Sequence, residues 1–173
     1  FGSESRDNLN LDTLFKVDLT TNTLTKLTDV KDAAAHDQKL IIVEDQLHLI
    51  YCNKHAIMNI EGHTMSKLAS FNINAYQQLG VTYLKSQHCF LLIGDVVSDH
   101  YEPNKVHRFS LLNKKWEEIK DVELPQNMGG FGMVSTRDER YVILFSGYEH
   151  RCRFDSIYIY DIRNNNVRKS NIK

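Results

Sequence analysis

Eight histidines and three cysteines are the side chains of this 173-residue chain best equipped for chemistry. Their spacing decides what they can do. No His-x-x-x-His pair and no Cys-x-x-Cys occurs, so no metal site is expected. His48 alternates with Leu47 and Leu49 in an apolar run, and His107 falls on the apolar face of another, so both read as structural residues. Glu117 beside Glu118 and Asp138 beside Glu139 are adjacent carboxylates, but neighbours on a strand point opposite ways and cannot share a substrate. They read as solvated turn or edge residues. The run Gly129, Gly130, Phe131, Gly132 lacks the Lys-Ser or Lys-Thr of a phosphate loop, which makes it a tight entry into an inner strand. No G-x-S-x-G elbow or S-x-D-x-G box is present. The expectation is therefore no catalytic residue, no cofactor and no metal.

Composition narrows the class further. With 42% hydrophobic residues, 8 glycines and only 2 prolines the chain can bury a core. A formal net charge of −1 gives no field to draw in nucleic acid or an anionic membrane. The longest apolar runs, such as 141–145, are far too short to span a bilayer. Cys52, Cys89 and Cys152 are odd in number and sit at a strand end, a strand start and a loop, which fits free thiols in a reducing, cytoplasmic setting.

The elements that position these residues repeat. In 125–173, three runs rich in Val, Ile, Tyr and Phe and a fourth short one alternate with polar punctuation, the pattern of a four-stranded antiparallel meander. A six-four-four pattern starting at Ile157 (IYIYDI, RNNN, VRKS) recurs at Val106 (VHRFSL, LNKK, WEEI), at His55 (HAIMNI, EGHT, MSKL) and at Leu14 (LFKVDL, TTNT, LTKL). Its second, fourth and sixth positions are Phe15, Val17, Leu19; Ala56, Met58, Ile60; His107, Phe109, Leu111; and Tyr158, Tyr160, Ile162, which form a core face. The fifth position is Asp18, Asn59, Ser110 or Asp161, whose side chain can accept from backbone N–H groups and close the turn that follows. Upstream, Gly80 and Gly132 each precede a second strand by ten residues, at Phe90 and Val142. The second copy has almost no loop between its second and third strands, hence its shorter spacing.

Four strands per unit at a period near 50 residues is the signature of a β-propeller. An apolar strand ending in Gly (91–94 and 142–147), a variable loop, the Asp155, Ile157, Tyr158, Ile159, Tyr160, Asp161 strand and Trp116 opening a fourth strand resemble the kelch repeat family, as a divergent and incomplete set. The expected fold is all-β: a sector of about three and a half four-stranded kelch-type blades in one partial propeller domain over 1–173. Blade 1, within 1–30, is incomplete; the others cover about 36–70, 78–121 and 130–173. Phe1 and Gly2 read as the stub of a second strand, so the natural protein is expected to extend beyond this chain. Terminal blades should then expose apolar faces, Phe15, Val17 and Leu19 at one end or Tyr158 and Tyr160 at the other, and self-associate through them.

The resemblance implies that loops between second and third strands open on one binding face. They carry His100 and Tyr101 in one blade and Tyr148, His150, Arg151 and Arg153 in the next. Tyr and Arg dominate contact energy when set in a rigid surface. These six are the expected partner-binding residues, for a protein or an acidic or phosphorylated peptide, and Arg151 and Arg153 pairing with Glu149 and Asp155 is the competing structural role. The expected function is a non-catalytic interaction scaffold or adaptor. The alternative is part of a propeller enzyme, an oxidase or glycan-acting, whose catalytic residues lie on other blades.

Overall fold

Short apolar runs, each closed by a polar turn, are too brief for stable helices and long enough for strands. A computed structural model describes residues 13–30, 38–51, 54–62, 64–68, 79–94, 105–122, 124, 130–149, 152–153 and 156–171. The described residues form sixteen strands and no helix, and no helix long and apolar enough to cross a membrane occurs among them.

Two compact units divide the chain, residues 1–70 and 71–173. The first holds a hairpin of β1 (Thr13–Asp18) and β2 (Thr23–Asp29). It also holds an antiparallel sheet of β3 (Lys39–Val43), β4 (Gln46–Tyr51), β5 (Lys54–Asn59) and β6 (Met65–Lys67), ordered as in the chain. The second unit holds two such meanders. One is β7 (Gly80–Leu84), β8 (Cys89–Ile93), β9 (Val106–Ser110) and β10 (Lys115–Ile119). The other is β11 (Gly132–Ser135), β12 (Tyr141–Phe145), β15 (Ile157–Asp161) and β16 (Asn166–Lys169), with a two-stranded ribbon, β13 (Tyr148–Glu149) and β14 (Cys152–Arg153), inserted after its second strand. These are propeller-type blades, three of four strands and one of two.

The repeated turn chemistry works as its residue types dictate. Asp18 Oδ1 accepts from the Thr20 and Thr21 amides at 2.8 and 3.2 Å, and Asn59 Oδ1 from the Gly62 amide at 2.8 Å. Ser110 Oγ accepts from the Asn113 amide at 3.4 Å, and Asp161 Oδ1 from the Arg163 and Asn164 amides at 3.0 and 3.3 Å. The third residue of three of these turns, Asn22, Lys114 and Asn165, adopts the left-handed region at φ 53, 55 and 48°. All four copies therefore close in the same way, by a side chain that satisfies donors the ladder leaves open.

Packing follows one rule in both units. In the first, Leu14 of the hairpin and Val30 are buried with Leu47, Leu49, Tyr51, Ala56 and Met58 of the neighbouring sheet. In the second, Leu91, Ile93 and Val106 are buried with Val142, Leu144, Tyr158 and Tyr160. Thus the first-position residue of one copy, Leu14 or Val106, joins the second- and fourth-position residues of the following copy, Ala56 and Met58 or Tyr158 and Tyr160. In the second unit the innermost strands β7 and β11 lie alongside each other. A Cβ on Gly80 would stand 2.4 Å from the Phe131 ring, so only glycine permits that approach. Each fully buried aliphatic side chain here contributes about 1.5–3 kcal/mol relative to exposure. The opposite face of the third sheet carries an aromatic row in register across all four strands, Tyr83, Phe90, Phe109 and Trp116. Neighbouring ring centroids in it lie 5.0–6.0 Å apart, the spacing at which such pairs attract beyond their buried area.

One expectation is overturned. Tyr158 and Tyr160 are 4% and 0% exposed, because their face of β15 is the one turned to the preceding sheet. The open side of the last sheet is the other face, where Val134 and Phe145 are 49% and 44% exposed and Ile143, Ile157 and Ile159 half-buried. Phe15, Val17 and Leu19 are exposed as expected, at 41%, 58% and 84%.

Candidate functional site

The loop between the second and third strands of the last sheet is built on β12 and β15, which pair along their full length from Tyr141 with Asp161 to Phe145 with Ile157. Ser146 and Gly147 follow at φ 58 and 134° and turn the chain out of the ladder. A Cβ at Gly147 would be strained at that angle. The chain then pairs with itself, Tyr148 opposite Arg153 and Glu149 opposite Cys152. Sequence reasoning treated this stretch as a plain loop, because two-residue strands give no readable alternation. Tyr148 and Arg153, two of the six expected contact residues, stand opposite one another at its base. His150, Arg151, His100 and Tyr101 lie outside the described residues, as does Asp155.

Three of the histidines behave as buried structural groups, whereas His88 is exposed. His48, His55 and His107 are 1%, 1% and 5% exposed. The β4–β5 register, Ile50 opposite His55 and His48 opposite Ile57, makes His48 and His55 diagonal neighbours. Nδ1 of His48 lies 3.1 Å from Nε2 of His55, a distance that requires one ring to donate and the other to accept. Burial lowers His48 to about 4; burial and then the His48 charge lower His55 to about 3. Burial lowers His107 to about 4, with Glu118 pulling up and Lys105 down. All three are neutral at pH 7. The His48–His55 contact follows from no helical spacing; its signal is the tight β4–β5 connection, where pairing of 51 with 54 brings 48 and 55 together.

Other charged groups are engaged with each other. Arg108 donates through Nε and Nη2 to Glu117 Oε1 at 3.1 and 3.0 Å, directly across the β9–β10 ladder. Glu118, pointing the other way, lies 3.7 Å from Lys105 Nζ. Between the third and last sheets is a cleft of about 320 Å³ lined by Leu84, Leu91, Arg108, Glu117 and Tyr160 among others. In it the Tyr160 hydroxyl donates to Asn165 Oδ1 at 3.0 Å, and burial pushes its pKa up to about 12. The Cys89 thiol is buried and free, and burial raises its pKa, so it is a poor nucleophile. No group of three or more His, Cys, Asp or Glu able to hold a metal occurs among the described residues.

Glu139 departs from its expected solvated role. Its carboxylate accepts from the Lys85 amide at 2.7 Å, the Ser86 amide at 2.8 Å and the Ser86 hydroxyl, so the β11–β12 turn of the last sheet caps the β7–β8 turn of the one before. Burial pulls its pKa up, but the hydrogen bonds from Ser86 and Lys85 outweigh that and hold it below the usual value. Nothing in the spacing of Asp138 and Glu139 announces a partner more than fifty residues away.

No family model matches this chain, and no curated protein matches it. Solved structures do, 154 chains of them, so the arrangement of sheets is widespread and by itself selects no activity. One is the structure of YjhT, superposed with a TM-score of 0.64 at 8% sequence identity over 77% of this chain. The match spans 50% of the YjhT chain, and at that identity it establishes the fold alone, a β-propeller type of blade.

Proposed function

We infer that the chain is a divergent kelch-type propeller segment acting as a non-catalytic scaffold, cytoplasmic, which holds a protein or acidic peptide at the loops following second strands. The β13–β14 ribbon carries this reading. A loop whose ends are hydrogen-bonded to each other, on a base of two fully paired strands, loses little conformational entropy when a partner lands on it. Its sequence supplies one Tyr, one His and two Arg, a set suited to carboxylate or phosphate recognition.

The test is a pull-down with the protein, followed by titration of the retained partner against the Arg151→Ala, Arg153→Ala double variant. Binding should weaken by roughly 1–3 kcal/mol, the cost of losing charge-assisted contacts, with the melting temperature unchanged. Unaltered affinity of a folded variant would remove these arginines from the site and move attention to His100 and Tyr101.

A further inference from the structure

Arg108 breaks the apolar rule of the junction between the third and last sheets. It stands with Leu91 and Glu117 in one cross-strand row, on the face whose next row, Ile93, Val106 and Ile119, packs toward the last sheet. Ile57 and Ile159 hold its repeat position in two other copies. A guanidinium cannot be packed dry in that place, and the sheets part over it into the cleft of about 320 Å³. That volume falls at the lower end of small-molecule sites, which run from about 300 to 1,000 Å³. Tyr160 and Asn165 line the cleft at one end of β15, whereas the ribbon follows Phe145, opposite Ile157 at the other end. The cleft is therefore a site apart from the ribbon.

Its polar groups define what fits. Glu117 Oε1 takes the Nε and Nη2 donors of Arg108, the side edge of the guanidinium. The end edge, with Nη1, and the second carboxylate oxygen, Oε2, make no hydrogen bond among the described residues. A donor and an acceptor thus stand side by side, held in place by their own pairing. Asn165 Oδ1 is taken by the Tyr160 hydroxyl, so this side chain offers its N–H group, and Gln87 adds a second amide. Charge is balanced: Arg108 and Glu117 cancel, and Glu118, which also borders the cleft, lies 3.7 Å from Lys105. An anion would have to compete with Glu117 for Arg108, and a cation with Arg108 for Glu117. A neutral group that both accepts and donates disturbs neither.

We propose that this cleft binds an uncharged carboxamide. Its carbonyl accepts from the end edge of Arg108, its N–H donates to Glu117 Oε2, and its carbon atoms lie over Leu91, Ile119 and Ile162. The same chemistry is offered by a free small amide and by the glutamine side chain of a peptide.

The test is a nuclear magnetic resonance titration of the isotope-labelled protein with isobutyramide, isobutyrate and isobutylamine, which are close in shape and differ in charge. Isobutyramide should shift the Arg108 Nε–H signal and the side-chain amide signals of Gln87 and Asn165, and should bind on the order of tenfold or more tightly than either charged probe. Arg108→Met should abolish these shifts, with circular dichroism checking its fold. Gln87→Ala, in an exposed turn, should weaken binding severalfold and serves if Arg108→Met does not fold. The Arg151→Ala, Arg153→Ala variant should bind isobutyramide unchanged, which separates this cleft from the ribbon. If acetyl-Gly-Gln-Gly-amide shifts the same signals, the source is a partner's glutamine; if only isobutyramide does, it is a free amide. No shift at the cleft, equal or tighter binding of isobutyrate or isobutylamine, or binding that survives in folded Arg108→Met or is unchanged in Gln87→Ala overturns the proposal.

Discussion

Tyr158 and Tyr160 in the last sheet and Phe15 and Val17 in the first hairpin hold the same repeat positions, and one pair is buried while the other lies open. Both strands alternate, and both end in an aspartate that caps the following turn with its carboxylate. What separates them is the neighbour. The third sheet offers Leu91, Ile93 and Val106 to the tyrosines, whereas the hairpin uses its other face, through Leu14, to cover the sheet that follows it. Periodicity therefore reports that a face is apolar, and only packing decides whether it is covered.

The contrast predicts a large difference from equivalent substitutions. Tyr160→Ala leaves a cavity amid Val142, Leu144 and Leu91 and should cost about 3–5 kcal/mol in urea denaturation, with its hydrogen bond to Asn165 lost as well. Phe15→Ala, at a position 41% exposed, should cost under about 1 kcal/mol. Equal losses would mean that the hairpin face is covered in solution.

Acid should come next in size. The unfolded chain protonates histidine near 6.5, while His48 and His107 resist until about 4 and His55 until about 3. Between those values the unfolded state holds more protons, so stability falls as pH drops through 6.5 toward 4. Each independent histidine contributes roughly 1 kcal/mol per pH unit of that fall, with His48 and His55 titrating as a coupled pair. Glu139 acts in the same direction but lower, since its carboxylate is held below the usual value and its contribution is lost only as pH falls through the carboxylate range. Denaturation midpoints at pH 7, 6 and 5 check this. A flat profile over that span would show that the rings reach water in the folded state.

Strand order, the four repeated turns and the apolar faces were legible in the sequence because each rests on local periodicity or on a side chain bonding two or three residues ahead. The ribbon at 148–153 was not, since two residues per strand carry no period. Glu139 was not, because its partners Lys85 and Ser86 are brought to it only by the packing of β7 beside β11. The covered side of β15 was misjudged for a related reason: Ile157, Ile159, Tyr158 and Tyr160 make both faces apolar, and composition cannot choose between them. Of the candidate contact residues, Tyr148 and Arg153 are placed by backbone pairing, which the sequence left as loop.

The Glu139 contact gives a middle-sized effect. Glu139→Ala leaves the Lys85 and Ser86 amides to solvent, and because the turn is only partly buried the loss should be about 1–2 kcal/mol. Hydrogen exchange at those two amides should quicken while exchange at Phe90 and Leu91 holds. If the whole third sheet exchanged faster, the contact would be a condition for packing and not a local cap.

The smallest effect separates turn chemistry from packing. Asp18 and Asp161 accept from the first and second amides of their turns in nearly the same geometry, at 2.8 and 3.2 Å and at 3.0 and 3.3 Å. Hydrogen bonds lower the Asp18 carboxyl to about 2; around Asp161 burial pulls upward, and the bonds from Asn164 and Arg163 overcome it. Both groups are solvent-reached, so their worth lies in fixing a local turn that water would otherwise solvate. Replacement by Ala should accelerate amide exchange at Thr20 and Thr21 in one case and at Arg163 and Asn164 in the other, by similar factors and with little change in the denaturation midpoint. That equality would show the turns to be autonomous, with the large disparity between Tyr160 and Phe15 owed to the neighbouring sheet alone. A much greater effect at Asp161 would instead mean that its turn, which also carries Asn165 to the Tyr160 hydroxyl, is held together with the core beneath it.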